Sequence, residues 1–412
     1  MRITFVALAY APSVGGSQLL VRRLAEGLAG HGHDVEVLTT DALGSIGARH
    51  PGRVGVQDEE LGGVRVRRHR SPEPLRLAQR ALRGAWMRRP GWATGPHAGV
   101  VGPWLAGPLS PSLLAAVRRA LRDRDVVIAC SAPFLTFVAP ARWPRRRARL
   151  IGLPLLHLGR YEVALGVQRA LRRCDALVAA TEHERDVHRR TAPAVAELHV
   201  IPPGTDVDEA LDLTPDQARA ELGLAERTTV GYVGRLAAYK GIDSVLAASA
   251  QLVAAHPELG VLVAGRPSGY DVRPAAEAVG LPADRLTLRE SFPEEERRLL
   301  LAACDIVVAP SLDESFGLGI ADGWAARRPV VASDLAAVRT LVRDGVDGVL
   351  VAPADPAALA EVLDGLLADP RRRAELAAAG RRRVDDELGW SAIIDRWDAV
   401  VRAADDRRRV EA

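Results

Sequence analysis

Two cations stand five residues apart in a glycine-flanked stretch, residues 234–241, which reads GRLAAYKG. Lys240 is the only lysine of the chain, although arginine is abundant throughout. Since arginine is used almost everywhere else, a lysine here indicates a need for a compact point charge. Arg235 and Lys240 in one turn suit an anion that carries more than one charge. The alternative is a solvated loop with incidental cations.

A second polar group lies at residues 310–322, which read PSLDESFGLGIAD. Gly317 to Gly319 are predicted to begin a helix, whose free N–H groups and positive dipole end favour an anion. Glu314 comes just before that helix and Asp322 lies about two turns into it, so both carboxylates can border one cavity. Carboxylates beside a phosphate-binding helix start suit the hydroxyls of a sugar or ribose.

The first half of the chain offers weaker candidates. Gly15 and Gly16 stand between a predicted strand and a predicted helix, where two glycines let the backbone approach a bulky ligand closely. A plain tight turn is the alternative. His157 ends a predicted strand, and the choice between a ligand-binding and a structural histidine stays open.

Short apolar runs alternate with helical patterns along the whole chain, which is typical of parallel sheets with helices on both faces. Helical segments between the strands include 17–30, 112–122, 243–256, 294–303 and 356–368. The predicted strands are 2–9, 34–40, 63–70, 126–131, 149–157, 176–181, 198–203, 229–234, 260–265, 284–289, 306–310, 329–332 and 348–351. Two such series predict an α/β protein with two Rossmann-like, doubly wound domains.

Domain boundaries are placed where the regular patterns break. We predict a first domain over 1–205, a linker over 206–228, a second domain over 229–388 and a C-terminal helical segment over 389–412. That last helix carries apolar residues at helical spacing, and either domain could supply the surface it needs. Ligands of doubly wound sheets bind beyond the carboxyl ends of the strands. Two such domains facing each other would form a cleft that can close on a ligand.

Composition excludes disordered, collagen-like and disulfide-scaffold proteins. The 412 residues are 48% hydrophobic and 26% charged, with a net charge of +3, as in ordinary soluble globular proteins. This even balance gives no argument for a nucleic-acid partner. Cys130, Cys174 and Cys304 are widely spaced, which predicts neither a disulfide framework nor a metal site and favours a reducing compartment. We therefore expect a cytoplasmic protein.

Several motifs carry a resemblance to a known family. They are GRLxxxKG at 234–241, PSxxExFGL at 310–318, PVVAS at 329–333 and IPxGxD at 201–206, together with the Gly15-Gly16 turn. Over nearly the whole chain they closely resemble the retaining glycosyltransferases of family 4. The resemblance implies a GT-B fold and a nucleotide-diphosphate sugar as donor substrate, with no cofactor and no obligatory metal. It also implies a C-terminal helix that crosses back onto the first domain.

The resemblance assigns roles in the second domain by position. Arg235 and Lys240 would hold the donor diphosphate, and Glu314 would contact hydroxyls of the donor sugar. The ribose hydroxyls would be held from the place that Asp322 occupies. Backbone amides in the Phe316–Leu318 segment, those of Gly317 and Leu318, would also bind the diphosphate. Base contacts are expected near Arg289.

In the first domain, the resemblance places Gly15 and Gly16 near the donor phosphates and sugar. His157 matches a position from which a histidine donates a hydrogen bond to a donor-sugar hydroxyl. The acceptor would attack the donor sugar on the same face from which the leaving group departs. A phosphate oxygen of the donor would take the proton of the acceptor. Charge that develops on the leaving diphosphate would be stabilised by the cations and the helix amides.

Two positions depart from the family pattern. Asp322 replaces the second glutamate of a Glu-x7-Glu pattern and is one methylene shorter, so its ribose contact would be weaker, water-bridged or shifted. Arg327 stands where the family usually has a glycine that closes the helix. An arginine there costs ~1 kcal/mol if the backbone must be left-handed.

The sequence leaves the acceptor open between a small molecule and a lipid-linked compound. Residues 71–117 are basic and amphipathic, which fits either peripheral docking on an anionic membrane at the inner face or a pocket wall for a soluble acceptor. Alternative functions are a nucleotide-sugar epimerase of similar two-lobed fold and a non-catalytic nucleotide-sugar binder. The nucleotide base, the sugar and the oligomeric state are not indicated.

Overall fold

A computed structural model describes the chain apart from residues 14, 44–51, 88–103, 105–106, 108, 157–164, 194, 196, 208–212 and 412. The chain divides into two compact units. The first consists of Met1–Pro202 and Ser391–Ala412, and the second of Pro203–Trp390. Among the residues described, no helix is both long and apolar enough to cross a membrane.

The first unit is built on a sheet that is parallel except at one edge. Its strands are β1 Arg2–Val6, β2 Asp34–Thr40, β3 Asp58–Leu61, β4 Val64–His69, β5 Val126–Cys130, β6 Arg149–Leu153, β7 Ala176–Ala179 and β8 Glu197–Val200. They are ordered β3-β4-β2-β1-β5-β6-β7-β8. The order reverses direction between β1 and β5, which makes that pair the switch point of the sheet.

Strand β3 was not predicted from the sequence. It pairs antiparallel with β4 at the sheet edge, with Asp58 opposite Arg67 and Glu59 opposite Val66. Cross-strand ion pairs join Arg67 to Asp58 at 3.4 Å and Arg68 to Glu59 at 2.5 Å. This edge strand is held by charge pairs. Its sequence therefore lacks the apolar alternation that identifies a half-buried strand.

The helices of the first unit cover its sheet. They are α1 Gly16–Gly30, α2 Glu73–Met87, α3 Pro111–Asp123, α4 Leu135–Val138, α5 Leu165–Leu171 and α6 Glu182–Thr191. In α1, Leu20, Leu24 and Leu28 recur every four residues and are buried, as the sequence pattern predicts. The Thr181 hydroxyl caps α6 by accepting a hydrogen bond from the Glu184 amide.

The second unit has an entirely parallel sheet. Its strands are β9 Thr228–Val233, β10 Leu259–Gly265, β11 Leu286–Glu290, β12 Ile306–Ala309, β13 Val330–Ser333 and β14 Val349–Val351. Their order is β11-β10-β9-β12-β13-β14, with the switch point between β9 and β12. Every residue of β10 is buried, as expected for a strand covered on both faces.

The helices of the second unit include one that the sequence placed in a linker. They are α7 Pro215–Leu222, α8 Ile242–Leu252, α9 Val272–Ala278, α10 Glu294–Ala302, α11 Leu318–Ala325, α12 Ala336–Arg339, α13 Pro356–Ala368 and α14 Pro370–Arg383. Ala218 of α7 is fully buried, and Arg219 donates to the Ala303 carbonyl and to Asp305, both at 2.8 Å. The later part of the expected 206–228 linker therefore packs within the second unit.

The C-terminal helix, α15 Trp390–Glu411, packs within the first unit from Ser391 onward. Ile393, Trp397 and Val401 are at most 1% exposed. Its contact with α1 is close, since a Cβ added at Gly27 would lie 2.2 Å from the Ile394 side chain. The surface that the apolar stripe needed is thus supplied by the first unit.

Candidate functional site

The switch point of the second sheet places two of the predicted loops side by side. The loop 234–241 follows β9, and the loop 310–317 follows the neighbouring strand β12. The Leu312 amide donates a 2.8 Å hydrogen bond to the Tyr239 carbonyl, which joins the two loops. Ligands of such sheets bind at the carboxyl ends of the strands beside the switch point. The sheet topology therefore selects the loops that carry Lys240 and Glu314.

Gly241 allows these loops to pack backbone against backbone. Its φ of 69° lies in the left-handed region, and a Cβ there would stand 1.9 Å from the Pro310 carbonyl oxygen. Both the conformation and the space therefore require glycine. The glycine of the GRLxxxKG motif has a steric role in joining the two loops.

Lys240 and Glu314 form an ion pair in the centre of this region. Lys240 Nζ lies 2.6 Å from Glu314 Oε2, and their side chains are only 19% and 16% exposed. The Ser311 hydroxyl donates to Glu314 Oε2 and the Ser315 amide to Oε1, both at 3.2 Å. The lone lysine is thus held by a carboxylate that is itself fixed by a hydroxyl and an amide.

The environment of Glu314 favours its ionised form. Burial by itself raises the pKa of this carboxyl, but the Lys240 charge and the hydrogen bonds from Lys240, Ser311 and Ser315 outweigh it. The net pKa of Glu314 lies below its ordinary value. The site therefore contains a carboxylate that can accept hydrogen bonds at neutral pH.

Arg235 lies at the exposed end of the same loop. Its Nη1 is 3.5 Å from the Tyr239 hydroxyl, and its carbonyl accepts a 2.8 Å hydrogen bond from the Tyr232 hydroxyl. Burial is the main cause of the raised pKa of Tyr232; Tyr239 and Glu314 raise it further, whereas Arg235 and Arg297 lower it. Glu314, Arg235 and Arg297 thus all lie close enough to the end of β9 to influence the Tyr232 hydroxyl. The structure joins Lys240 to Glu314 directly and leaves the Arg235 guanidinium facing solvent.

Helix α11 begins next to this ion pair. Gly317 precedes it with a left-handed φ of 102°, and Leu318 is its first residue. Phe316 is only 4% exposed, so its side chain anchors the turn. A Cβ added at Gly319 would lie 3.9 Å from the Val233 carbonyl oxygen, so the helix start lies close to the end of β9. First-turn amides of a helix have no partner within the helix and can bind an anion.

Both oxygens of Asp322 accept hydrogen bonds from the protein itself. The Thr205 hydroxyl donates to Oδ1 at 2.7 Å, and Arg297 donates to Oδ2. The neighbouring Arg298 pairs with Asp206 at 2.9 Å. The carboxylate expected at the ribose is thus part of a network that ties residues 205–206 to α10. Sequence reasoning missed Thr205 and Arg297, although Thr205 lies within the IPxGxD segment at 201–206.

Arg289 and the Gly15-Gly16 turn are two further candidates from the sequence. Arg289, on the edge strand β11, donates a 3.0 Å hydrogen bond to the Leu222 carbonyl at the end of α7. Gly16 begins α1 after β1, and the φ of 169° at Gly15 is an extended conformation that any residue can adopt. His157 lies outside the residues that the structure describes.

The departure at Arg327 has the structural consequence that the sequence predicted. Its φ is 56°, a left-handed value. Its amide donates to the Trp324 carbonyl and the next amide, of Arg328, donates to the Gly323 carbonyl, both at 2.9 Å. This is the Schellman ending of a helix, in which glycine is the preferred residue at the left-handed position.

In the described part of the chain, no group of three or more histidine, cysteine, aspartate or glutamate residues lies close enough together to hold a metal ion. Cys130, Cys174 and Cys304 are buried and free.

Comparison with known proteins first defines the class. The fold matches sucrose-phosphate synthase from Thermosynechococcus elongatus with a TM-score of 0.72 and 21% identity, over 98% of each chain. The protein therefore has the GT-B glycosyltransferase fold.

Sequence comparison then defines the family. Residues 14–209 match the model "Glycosyltransferase Family 4", and residues 215–383 match "Glycosyl transferases group 1". The alpha-D-kanosaminyltransferase of Streptomyces kanamyceticus is 30% identical over 383 residues, covering 87% of this chain and 92% of that protein. The chain belongs to the family 4 glycosyltransferases.

Some relatives match over a shorter region. The D-inositol 3-phosphate glycosyltransferase of Xylanimonas cellulosilytica is 38% identical over 239 residues, which cover 55% of this chain and 56% of that protein. Two further relatives of the same name are covered to 58% and 60% of their length.

Proposed function

We propose that this protein transfers a sugar from a nucleoside-diphosphate sugar to an acceptor with retention of anomeric configuration. The observation that carries the proposal is the Lys240–Glu314 ion pair at the switch point, 2.6 Å from Nζ to Oε2, beside the start of α11. A cation, a carboxylate and free helix amides within one loop pair suit a sugar joined to a diphosphate.

The chemistry follows from where negative charge develops. When the sugar–diphosphate bond breaks, charge accumulates on the departing phosphate, and Lys240 and the Gly317 and Leu318 amides stabilise it. Arg235 is exposed, and its guanidinium makes a long contact of 3.5 Å with the Tyr239 hydroxyl. The guanidinium is therefore available to the donor diphosphate. Glu314, ionised at neutral pH, orients Lys240 and accepts hydrogen bonds from sugar hydroxyls.

The retaining step is proposed without a covalent sugar–enzyme intermediate. The acceptor hydroxyl attacks the anomeric carbon on the same face from which the diphosphate leaves. The bond to the diphosphate breaks, and a phosphate oxygen of the leaving group takes the acceptor proton. In this proposal, no metal ion is required, since the cations and amides neutralise the leaving group.

The first test is donor binding followed by turnover. The full chain is screened by thermal shift against UDP-, GDP-, ADP- and TDP-sugars, and the stabilising donor is then used in transfer assays. Binding stabilises the folded state by mass action, so at least one donor is expected to raise Tm. If no nucleotide sugar raises Tm and none is consumed with any acceptor, the proposal is wrong.

Lys240→Ala tests the ion pair itself. Removing one preorganised charge from the leaving-group site is expected to lower kcat by ~10²–10³-fold. The control is Arg371→Ala, which removes a cation of the same unit whose side chain is 89% exposed and pairs with Glu375 at 3.1 Å. Arg371→Ala is expected to keep full turnover. Unchanged turnover in Lys240→Ala would remove this lysine from the mechanism.

The departures at Asp322 and Arg327 leave open one rival, a protein that binds nucleotide sugars without turning them over. Such a binder would give a thermal shift with a donor but no product with any acceptor. An epimerase would instead convert the donor when no acceptor is present. Incubation with donor alone and then with an acceptor panel separates these two functions from transfer.

The acceptor side is proposed to include contact with an anionic lipid surface through α2. Leu77 and Leu82 of this helix are 58% and 60% exposed, and Arg80 between them is exposed as well. Apolar and basic residues on one surface helix are typical of binding at a charged membrane interface. Co-sedimentation with anionic vesicles at low salt is expected, and its absence in wild type would favour a soluble acceptor.

A further inference from the structure

Glu184 is a buried carboxylate that joins two strands of the first unit. Only 1% of the residue is exposed. Its Oε1 accepts a 3.0 Å hydrogen bond from the Leu156 amide, after β6, and its Oε2 accepts a 2.7 Å hydrogen bond from the Ala180 amide, after β7. One side chain thus fixes the backbone at the carboxyl ends of two neighbouring strands.

These contacts differ from those of an ordinary helix cap. Thr181 and Glu184 have the spacing of a capping box, in which the glutamate would accept from the amide of the capping residue. Here the Thr181 hydroxyl does cap the Glu184 amide at 3.0 Å. The carboxylate, however, reaches to the residue before the cap and to Leu156, 28 residues away. Helix capping alone does not account for the second contact.

The segment held by Glu184 has an unusual backbone. Leu155 has a φ of 52°, a left-handed conformation that is uncommon for a leucine. The Pro154 carbonyl accepts a 2.7 Å hydrogen bond from the Ala132 amide, and the Leu156 side chain is 1% exposed. Such conformations persist only where surrounding contacts impose them. The Leu156–Glu184 hydrogen bond is one of those contacts.

His188 completes the surroundings of the carboxylate. It is fully buried one helical turn after Glu184, and its Nε2 lies 3.4 Å from Glu184 Oε1. A buried carboxylate that accepts two amide hydrogen bonds next to a buried imidazole has little freedom to move. The geometry of residues 154–156 is therefore held from a rigid position.

We propose that Glu184 is a positioning residue for the transfer reaction: it fixes residues 154–156 beyond the carboxyl end of β6, at the edge where doubly wound sheets bind their ligands. This inference rests on the proposed function, the transfer of a sugar from a nucleotide-sugar donor. Glu184 does not touch the substrate and acts only through the backbone that it holds.

Glu184→Gln is the main test. The two amides both donate, and a glutamine can offer its single carbonyl oxygen to only one of them, so the shape is kept while one hydrogen bond is lost. With the donor found by the thermal-shift screen, kcat is expected to fall by ~10-fold or more while KM for the donor stays within ~2-fold. Exchange of the Leu156 amide with solvent is expected to become ~10-fold faster or more.

Two comparisons separate positioning from general stability. Asp398→Asn destabilises the same unit through α15 and is expected to leave kcat unchanged. Glu184→Asp keeps the charge but is one methylene shorter, so it cannot reach both amides and is not expected to rescue kcat. Exchange of the Leu156 amide in wild type is also measured, and it is expected to be slow.

The outcomes distinguish this inference from the function on which it rests. A wild-type protein that consumes no donor contradicts the proposed function. An active wild type in which Glu184→Gln resembles Asp398→Asn in kcat overturns the positioning role. Rapid exchange of the Leu156 amide in wild type overturns it as well, even if neither Glu184 variant folds.

Discussion

Lysine is rare enough in this chain for its single occurrence to be informative. Because arginine fills nearly every other basic position, Lys240 was identifiable from sequence as a point-charge site. Its partner was also foreseen as a site residue, but the 2.6 Å ion pair between them was not. Spacing along the chain predicts which loops carry charge, whereas the pairing of residues 74 positions apart depends on the sheet order.

The partners of Asp322 show the limit of prediction for single residues. Its family position suggested a contact to the ribose hydroxyls, yet Thr205, 117 residues earlier, and Arg297 both donate to it. Periodicity and local motifs contain no information on such contacts, because they arise only when α10, α11 and the start of the second unit pack together.

Arg327 gives a prediction about stability at a single position. Its left-handed φ of 56° closes α11 in a Schellman motif, where glycine has no Cβ penalty. We expect Arg327→Gly to unfold at a higher urea concentration than Arg327→Ala, with a difference of ~1 kcal/mol in the free energy of unfolding. Both variants lose the arginine side chain equally, so the difference reports the backbone alone. Equal stability of the two would mean that no strain is relieved at this position.

At the level of elements, the parallel sheets were predictable and the edge was not. The second-unit strands were expected at 229–234, 260–265 and 306–310 and are found at Thr228–Val233, Leu259–Gly265 and Ile306–Ala309. Strands covered on both faces are continuous apolar runs, which the sequence displays directly. Strand β3, with its run of acidic residues, gave no such signal.

The junction of the two site loops leads to a prediction about glycine. Gly241 and Gly223 both have left-handed φ, of 69° and 62°, but a Cβ at Gly241 would lie 1.9 Å from the Pro310 oxygen, whereas nothing lies within 4 Å at Gly223. Gly223→Ala is expected to cost ~1 kcal/mol of unfolding free energy. Gly241→Ala is expected to cost ~3 kcal/mol or more, since the clash adds to the strain.

Urea unfolding measures both variants, and binding of the donor found by thermal shift provides a second measurement. Gly241→Ala is expected to weaken binding of the nucleotide sugar, because the loops that carry Lys240 and Glu314 must separate. Gly223→Ala is expected to leave binding unchanged. Equal losses in the two variants would show that the approach to Pro310 is not needed for the site.

At the scale of the whole molecule, the chain returns to its first unit after completing the second. Asp398 of α15 fixes this return: Oδ1 lies 2.6 Å from His33 Nε2, Oδ2 accepts from Arg402 at 2.8 Å, and His31 Nδ1 is 3.5 Å away. Burial raises the pKa of Asp398, but the hydrogen bonds from Arg402 and His33 outweigh it and lower the pKa to about 2.

The sign of the pH effect follows from this shift. Because the folded pKa lies below the ordinary value of ~3.9, the ionised carboxylate adds stability above about pH 4 and loses it as the pH falls toward about 2. At neutral pH, Asp398→Asn is expected to lower the unfolding free energy of the first unit by ~1–3 kcal/mol, the range for hydrogen bonds to charged groups. The difference in unfolding free energy from wild type should close between about pH 4 and pH 2.

Asp395→Asn is the control. Asp395 lies on the same helix, with 66% of its side chain exposed and 3.6 Å from His31, so the change should alter stability by less than ~0.5 kcal/mol at any pH. Urea unfolding of the three proteins across this pH range measures the effect, and a gap that stays constant down to pH 2 would exclude Asp398 as the group that stabilises the return of α15.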